Sequence, residues 1–460
     1  MPKVIVNTAK FVRIWPRIEK YQNSTLRYSP PSDFPAFWEK VNARPKIMRC
    51  WVTLDEVWDY RTDEYFWNYQ IGVNRYHDDP NHYEYDWGST VPSQTRYKDY
   101  LTSHSRHSDE VMLNIRRYER ETADGIVSLD KYEEVVENVI EYYKALCPNI
   151  RYIEVSNECE IRPFGGITIP QYYELYKRVY RAVRRLNKKH NYELPLMVGG
   201  TAMTGPMGHP HLWYKFLQLL AEDKDPDKMI DFYSAHDYNK DINRLSAFYK
   251  MHHEWIKELN LPDVPIFFDE YGTVGATGIW TDSLENAAGV LSGMILGSRL
   301  EGMYIFPWCT FHNPDLQMSY TQFLRLDDGS YAPTPNGNAI TMLHMLEENE
   351  LEMEGDHKNS VIAAGNGSRT TVLVTNPTDK PMAVDITLTE LSQERVLVTE
   401  YLVDTSNNNR LTGPECSELR LTNRWNEKTG NNDKSINIRT VLDKYGFCLW
   451  IIEPHELSRP

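Results

Sequence analysis

Two short apolar stretches each lead into a glutamate, and these glutamates are the residues best suited to chemistry. Residues 151–158 read Arg-Tyr-Ile-Glu-Val-Ser-Asn-Glu and end at Glu158. Residues 264–272 read Val-Pro-Ile-Phe-Phe-Asp-Glu-Tyr-Gly and carry Glu270 near their end. If both stretches are strands of one sheet, two opposite walls of a site each supply a carboxyl group. Glycoside hydrolysis needs that pair, since one carboxyl group donates a proton while the other attacks the sugar or activates water.

Each glutamate read alone is more typical of a strand that ends in solvent, but the pair favours a shared site. Asn157 beside Glu158 strengthens that interpretation. In a retaining mechanism the acid/base must hold a proton before the attack and release it before water enters, which requires a raised pKa. Glu158 is the candidate acid/base. Glu270 is the candidate nucleophile, which must be ionised and therefore needs hydrogen-bond donors around it.

Four polar residues on or just after predicted strands could contact the substrate, and each has a structural alternative. Asn157 could hold a sugar hydroxyl beside the scissile bond, or close the strand end with side-chain hydrogen bonds. His236 and Tyr238 could contact the substrate, with the Tyr238 hydroxyl donating to Glu270, or form a satisfied polar pair. Arg49 could orient a carboxylate or belong to a buried ion pair. We predict all four as residues of the substrate site.

Three further residues are candidates for the site, and their positions along the strands decide their predicted roles. Trp308 could form the floor of a sugar subsite through its aromatic face, or it could pack at the barrel top. Asp269 precedes Glu270, so strict alternation would place it on the other side of the strand in a structural role. Glu160 follows the predicted strand and is second to Glu158 as an acid/base candidate.

Strand and helix patterns alternate over the first 350 residues. Helical spacing is clear in residues 33–42, 129–146, 169–186, 211–221, 242–259, 283–298 and 338–346. Strands are predicted at residues 4–14, 46–53, 111–115, 151–158, 194–200, 229–236, 264–270 and 302–308. Eight alternating strands predict an α/β fold, a (β/α)8 TIM barrel over residues 1–350, whose site lies at the carboxyl ends of the strands.

Two regions depart from this alternation. Residues 60–100 are aromatic and irregular, and because they follow the second strand we predict a lid or rim that faces the substrate. After residue 350, short alternating strands are predicted at 361–364, 370–375, 382–388, 396–402, 436–441 and 447–452. Turn residues separate them, which predicts a C-terminal β-sandwich domain over residues 351–460, a structural appendage on the barrel.

Composition excludes several classes of function. The formal net charge of -15 argues against nucleic acid as a partner and makes a strongly acidic polysaccharide a poorer substrate. The six cysteines form no CxxC pair and the histidines no HExxH, so we predict buried free thiols, no metal and no cofactor. No GxSxG, P-loop or dinucleotide fingerprint occurs. No run of 18 apolar residues occurs either, so we expect no membrane span.

Location and assembly are less constrained. Met1 leads directly into the residues Val4 to Val6 without a signal peptide. The expectation is a cytoplasmic protein as written, or a secreted or periplasmic one if a signal was removed. The sequence allows a homo-oligomer but does not require one.

The motifs resemble those of clan A glycoside hydrolases, and within the clan those of family 39, whose best-known members are β-xylosidases. The clan's Asn-Glu acid/base motif is matched by Asn157 and Glu158, and its nucleophile at the end of the seventh strand by Glu270. A Val-Gly-Gly stretch is matched at residues 198–200, and an Asp-Phe-x-Ser-x-His-x-Tyr stretch at residues 231–238. The resemblance covers nearly the whole barrel and implies retention of configuration and a C-terminal β domain.

Three differences from the family surround the sugar site. Cys159 stands where a proline commonly follows the acid/base. Trp51 stands where a histidine is common after the arginine of the second strand, and we include it among the predicted substrate-binding residues. The eighth-strand motif is only loosely matched at residues 307–312. These differences bear on sugar specificity more than on mechanism.

Three functions are consistent with the sequence. The first is a retaining, exo-acting β-glycosidase similar to β-xylosidases, with carbohydrate as its substrate. The second is an endo-acting polysaccharide hydrolase with the same mechanism and another sugar specificity. The third is a non-catalytic carbohydrate-binding protein on a decayed barrel, which the presence of both glutamates disfavours.

Overall fold

The computed structural model describes residues 3–24, 44–85, 95–273, 284–310, 321–326, 330–356, 359–410, 412–430 and 434–455. In this part of the chain, two large sheets organise the fold, an eight-stranded parallel sheet and a nine-stranded sheet. Two short hairpins accompany them. None of the described helices is long and apolar enough to cross a membrane.

The eight-stranded sheet is the barrel. Its strands follow chain order and are Tyr21–Asn23, Ile47–Thr53, Glu110–Arg116, Ile150–Val155, Met197–Thr204, Phe232–Tyr238, Ile266–Gly272 and Met303–Pro307. Just after the eighth strand, the Thr310 N–H donates to the Asn23 carbonyl oxygen at 3.0 Å, which brings the last strand beside the first. The predicted α/β barrel is therefore confirmed.

Helices follow the strands as the alternation predicts. They are Tyr97–His107, Glu119–Ala123, Leu129–Leu146, Ile169–His190, Pro210–Glu222, Asn243–Glu258, Leu284–Gly297 and Pro335–His344, with a single turn at Leu54–Val57. Side chains fix several of their starts. Thr168 and Gln171 form a reciprocal capping box, and Pro170 lies in the first turn of that helix. The predicted helix at residues 33–42 lies outside the described residues.

The prediction that residues 4–14 form the first barrel strand is wrong. Lys3–Ile14 pairs with Asn349–Gly355 and Met382–Thr389 in the nine-stranded sheet. The reason lies in the burial pattern of this strand. Val4 and Val6 are buried while Ile5 is exposed, which is typical of a sheet that has one face in solvent. The true first strand, Tyr21–Asn23, is too short and too polar for its pattern to be visible.

Side chains fill the barrel in layers, since alternate residues of each strand point inward. An apolar layer includes Ile47 and Met112, with Tyr152 packed against it. Two residues further along the same strands come Arg49, Asn114 and Glu154, all fully buried. The barrel therefore changes from apolar to polar toward its carboxyl ends.

The nine-stranded sheet forms the β-rich domain. In spatial order its strands are Asn423–Lys428, Arg395–Val403, Phe447–Pro454, Thr370–Thr375, Val361–Gly365, Asn349–Gly355, Lys3–Ile14, Met382–Thr389 and Ile436–Leu442. All six predicted strands are present, and a separate apolar cluster including Val372 and Trp450 forms the core. The sequence patterns missed Asn349–Gly355 and Asn423–Lys428. A division of the chain into domains at residue 350 stays a prediction.

The aromatic region after the second strand is more regular than predicted. Trp58–Asp59 pairs with Glu64–Tyr65 in a hairpin, and a helix begins at Tyr97. The Tyr83 hydroxyl donates to the Arg162 carbonyl oxygen at 2.8 Å, in the loop after the fourth strand. Residues around Tyr83 therefore lie on the carboxyl-end face, as predicted, while a lid over the site stays a prediction.

All six cysteines are free, as predicted. Five of them are buried, and Cys416 is half-buried. For Cys50 and Cys147, burial raises the pKa of the thiol, so both are inert core residues.

Candidate active site

The structure brings the two predicted glutamates together. A carboxylate oxygen of Glu158, a carboxylate oxygen of Glu270 and a ring nitrogen of His236 all lie within 4.8 Å of one another. The Nδ1 atom of His236 is 2.7 Å from Oε1 of Glu158 and 3.5 Å from Oε2 of Glu270. One imidazole therefore stands between the two carboxyl groups.

Glu158 lies on a loop rather than on the strand end as predicted. The fourth strand stops at Val155, and the backbone then turns through left-handed conformations at Ser156 (φ 64°) and Glu158 (φ 48°). The Glu158 N–H donates to the Ala202 carbonyl oxygen of the fifth strand at 2.9 Å. This bond fixes the loop and aims the carboxyl group toward the barrel axis, at a cost in backbone strain of the kind found at functional sites.

The environment of Glu158 suits an acid/base. Burial raises the pKa of its carboxyl group to about 7, although the charges of Arg49 and Arg116 oppose the rise. A carboxyl group of this kind holds a proton near neutral pH and can also release it.

The environment of Glu270 suits a nucleophile. The Arg49 guanidinium donates from Nη1 to Oε1 of Glu270 at 2.6 Å, and the Tyr238 hydroxyl donates to Oε2 at 2.9 Å. Both oxygens of the carboxyl group therefore have a donor, which fixes its orientation. The predicted donation from Tyr238 to Glu270 is present in the structure.

Arg49 connects the other members of the site. Its guanidinium is fully buried and donates from Nε to Glu154 at 2.7 Å and from Nη2 to Asn157 at 2.8 Å, in addition to its bond with Glu270. Arg49 was predicted either to orient a carboxylate or to belong to a buried ion pair. The buried ion pair is present, and it includes Glu270, the candidate nucleophile. Because a guanidinium is planar, one side chain holds the nucleophile and the Asn157 amide in a fixed relation.

The tautomer of His236 follows from its neighbours. Burial lowers the pKa of the imidazole to about 4, so the ring is neutral at neutral pH. Nη2 of Arg49 lies 3.4 Å from Nε2 of His236. Arginine has no acceptor, so this contact favours the tautomer in which Nε2 is the acceptor and Nδ1 carries the ring proton. His236 therefore donates to Oε1 of Glu158, and the other oxygen of Glu158 is left to carry the exchangeable proton.

Two buried carboxyl groups of the site were not predicted as members. Glu154 contacts Arg49, and Asp269 has Oδ2 at 3.5 Å from Nε of Arg49 and Oδ1 at 3.5 Å from Nε2 of His236. The expectation that Asp269 points away is wrong, because the ladder shifts register between Phe268 and Glu270. Such a bulge lets consecutive residues face the same side. The sequence did contain a signal for Glu154 and Asp269, because each is a charged residue inside a mostly apolar strand.

Trp51 and Trp308 form an aromatic corner beside the polar site. Their rings meet edge to face with centroids 5.4 Å apart, and the Arg49 guanidinium lies 4.8 Å from the Trp51 centroid. Tyr238 packs against this corner. All eight predicted site residues therefore lie together, while sugar binding by the two tryptophans stays a prediction.

The cluster of Glu158, His236 and Glu270 has a spacing that a metal ion could bridge. Its hydrogen bonds do not fit one. Both oxygens of Glu270 accept from Arg49 and Tyr238, and a cation there would meet the charge of Arg49. Proton transfer is the chemistry that these side chains support.

Comparison with known proteins agrees with this fold. Neither the family models nor the curated proteins contain a match to the sequence. Among solved structures, a glucosidase from Croceicoccus marinus matches with TM-score 0.68 and 16% identity, over 99% of this chain and 100% of that one.

Two further structures match equally well. A GH39 enzyme from Xanthomonas axonopodis pv. citri matches with TM-score 0.68 and 14% identity, over 98% of this chain and 97% of that one. A monomeric beta-xylosidase from Caulobacter crescentus CB15 matches with TM-score 0.67 and 13% identity, over 99% of this chain and 100% of that one. The resemblance to family 39 in the sequence motifs is thus confirmed at the level of the fold, and the chain has the fold of these glycosidases along its whole length.

Proposed function

We propose that this protein is a retaining glycoside hydrolase that cleaves β-glycosidic bonds. The observation that carries the proposal is that an oxygen of Glu158 and an oxygen of Glu270 lie within 4.8 Å of each other, with Glu158 in an environment that raises its pKa and Glu270 hydrogen-bonded to Arg49. Retaining enzymes hold their two carboxyl groups roughly 5–5.5 Å apart, whereas inverting enzymes leave roughly 6.5–9.5 Å for a water molecule. The short separation favours retention.

In the first step of the proposed mechanism, the Glu270 carboxylate attacks the anomeric carbon. Glu158 donates its proton to the glycosidic oxygen, so the leaving group departs as a neutral alcohol and a glycosyl ester remains on Glu270. In the second step, ionised Glu158 takes a proton from water, and the hydroxide attacks the same carbon. Glu270 leaves as a carboxylate and Glu158 is protonated again, so both groups return to their starting states.

The surrounding residues prepare both steps. Arg49 and Tyr238 donate hydrogen bonds to the two oxygens of Glu270 and hold its carboxyl group in position. His236 donates to one oxygen of Glu158 and so orients the other toward the glycosidic oxygen. Asn157 is assigned to a sugar hydroxyl next to the reacting carbon, since its oxygen accepts from Arg49 and its amide nitrogen has no hydrogen-bond partner among the described residues.

For specificity we propose an exo-acting enzyme similar to β-xylosidases, with Trp51 and Trp308 against the sugar. The sequence motifs imply this class, and the whole-length match to a beta-xylosidase is consistent with it. An endo-acting hydrolase with another sugar is the alternative. A non-catalytic binding protein is disfavoured, because both glutamates are present and Arg49 and Tyr238 donate hydrogen bonds to Glu270.

A panel of aryl glycosides tests the proposal. It should include several sugars in both anomeric forms, together with longer oligosaccharides that can be cleaved at internal bonds. The Glu270→Gln variant is the matched inactive control. We expect turnover of β-anomers from the non-reducing end and none in the variant. Turnover of α-anomers alone would refute the β assignment, and cleavage only within long chains would replace exo by endo action.

A further inference from the structure

The loop that carries Glu158 begins at Ser156, and Ser156 has a left-handed backbone conformation. Its φ angle is 64°, and that of Glu158 is 48°. A residue other than glycine costs free energy in this conformation, so surrounding contacts must hold it there. Because the backbone turn at Ser156 sets the direction of the next two residues, the contacts of Ser156 decide where Asn157 and Glu158 point.

Every polar group of Ser156 is hydrogen-bonded to the third strand or to the segment that follows it. The Ser156 N–H donates to the Ile115 carbonyl oxygen at 2.7 Å, and the Ser156 carbonyl oxygen accepts from Nδ2 of Asn114. The Ser156 hydroxyl donates to Oε1 of Glu119 at 2.6 Å. Any residue could make the two backbone bonds, so the bond to Glu119 is the one that depends on a serine at this position.

Glu119 reaches Ser156 by way of a second strained turn. The third strand ends at Arg116, and the next two residues, Arg117 and Tyr118, are both left-handed, with φ angles of 83° and 65°. The Arg117 N–H donates to Oε1 of Glu119 at 2.9 Å, the same oxygen that accepts from Ser156. One carboxyl oxygen therefore joins the turn after the third strand to the turn after the fourth strand.

The carboxyl group of Glu119 is costly to keep in this place. Glu119 is buried, and burial raises the pKa of its carboxyl group. Its second oxygen, Oε2, is buried without a hydrogen-bond partner in the described ranges. A buried polar atom without a partner lowers the stability of the folded protein. Such a cost at the base of a catalytic loop is expected where the position of the loop matters for function.

We propose that Glu119 is a positioning residue of the acid/base, whose hydrogen bond to Ser156 holds the turn that directs Asn157 and Glu158 toward the glycosidic bond. The bond from the Glu158 N–H to the Ala202 carbonyl oxygen fixes the other end of the same turn. The inference rests on the proposed function and extends it by one residue, which acts through the loop and not on the substrate.

The test separates a misplaced acid from a general loss of stability. An alkyl β-glycoside of the sugar that the panel identifies needs a proton on its leaving group, whereas a dinitrophenyl β-glycoside needs none. The variants are Glu119→Ala, Ser156→Ala, the double variant and Glu119→Gln. The control is Asn187→Ala, which removes two hydrogen bonds to the Leu196 backbone at the amino end of the fifth strand, at the other end of the barrel.

We expect Glu119→Ala and Ser156→Ala each to lower kcat/KM for the alkyl glycoside about tenfold to a hundredfold, the effect of a small misplacement of a catalytic group. For the dinitrophenyl glycoside, kcat/KM should change less than about threefold. Its kcat and KM should fall together, because the glycosyl-enzyme accumulates when the base is misplaced.

The remaining variants identify the hydrogen bond itself. The double variant should lose no more than the weaker of the two single variants, since both remove the same bond. Glu119→Gln keeps an acceptor oxygen and should stay within about threefold of the wild type on both substrates. Asn187→Ala should lower stability without changing the ratio of the two activities. Ser156→Ala keeps the test valid if Glu119→Ala fails to fold, because it removes only one hydroxyl group.

Four results would overturn the role of Glu119. They are equal losses on the two substrates, unchanged alkyl hydrolysis in both single variants, losses that add in the double variant, and a Glu119→Gln variant as impaired as Glu119→Ala. Failure of the proposed function would look different, because the wild-type protein would then hydrolyse neither glycoside.

Discussion

His236 donates a hydrogen bond from Nδ1 to Oε1 of Glu158 over 2.7 Å, and burial keeps the imidazole neutral. The geometry gives each oxygen of Glu158 a separate task. One accepts from the imidazole, and the other carries the proton that the glycosidic oxygen receives. A neutral histidine also adds no charge between Glu158 and Glu270.

The pH dependence of activity follows from the pKa of Glu158. Burial raises this pKa to about 7, and the first step requires the protonated acid. For a substrate with a poor leaving group, kcat/KM should therefore fall as the pH rises through about 7, because kcat/KM reports the groups of the free enzyme. A Glu158→Gln variant should lose this alkaline limb together with most of its activity on that substrate.

The measurement is a pH profile of kcat/KM for an alkyl glycoside and for a dinitrophenyl glycoside. The dinitrophenol leaving group needs no proton, so its profile should extend further into the alkaline range. Identical alkaline limbs for the two substrates would contradict the assignment of Glu158.

Stability should also depend on Glu158 in a defined direction. Below the ordinary glutamate pKa of 4.5, the carboxyl group is protonated in both folded and unfolded chains, so its burial costs little. Between 4.5 and about 7, the unfolded chain ionises and the folded chain does not, so the free energy of unfolding falls as the pH rises.

Glu158→Gln removes this pH-dependent cost. At pH 8 the variant should be more stable than the wild type by about 3 kcal/mol, and at pH 4 by much less, since the pKa rises from 4.5 to about 7 and one pKa unit corresponds to about 1.4 kcal/mol. Urea unfolding at both pH values measures the difference, with the exposed Glu222→Gln as the control. If the variant is stabilised equally at both pH values, the pKa of Glu158 is not raised in the folded protein.

The buried pair of Glu154 and Asp269 gives a third prediction. Burial alone would raise the pKa of Glu154, but the Arg49 guanidinium holds it down to about 2. Burial and the adjacent Glu154 charge instead raise the pKa of Asp269 well above its usual value. We therefore predict that the proton of this pair is held by Asp269, while Glu154 carries the charge that faces Arg49.

Neutral substitutions at the two positions should differ accordingly. Asp269→Asn replaces a neutral group by a neutral group of the same shape, so stability should change by less than about 1 kcal/mol. Glu154→Gln removes the partner of a buried guanidinium, and broken buried pairs cost roughly 3–5 kcal/mol. Denaturant unfolding of the two variants measures both effects. Equal losses would refute the assignment of the proton to Asp269.

Much of the site could be predicted from the sequence because its residues follow recognisable strands. Glu158, Glu270 and His236 each follow an apolar run, and parallel strands bring such positions to one end of a barrel. The roles of Asn157 and Tyr238 as hydrogen-bonding neighbours were also predictable from their spacing.

Other features depend on tertiary structure. The bulge that turns Asp269 inward exists only in the pairing of the sixth, seventh and eighth strands, and strict alternation predicts the opposite. The strand Lys3–Ile14 resembles a barrel strand in composition, but its partners are hundreds of residues away in the chain. The helix that begins at Tyr97 has Tyr97, Tyr100 and Leu101 on its buried face, a helical period hidden within an aromatic region.

The central claim is that Glu270 is the nucleophile and Glu158 the acid/base of a retaining enzyme. Glu270→Gln should lower turnover of every substrate by at least about a thousandfold, because the covalent step is lost. Glu158→Ala should behave differently. With an activated aryl β-glycoside the glycosyl-enzyme still forms, since that leaving group needs no proton, and it then accumulates because water lacks a general base.

Azide rescue of Glu158→Ala measures this most directly. The small anion can enter the space of the removed carboxyl group and attack the glycosyl-enzyme without a base, so added azide should restore turnover. The product, identified by its anomeric proton coupling in NMR, should be the β-glycosyl azide, which has the configuration of the substrate. An α-glycosyl azide, or full activity in Glu270→Gln, would contradict the mechanism.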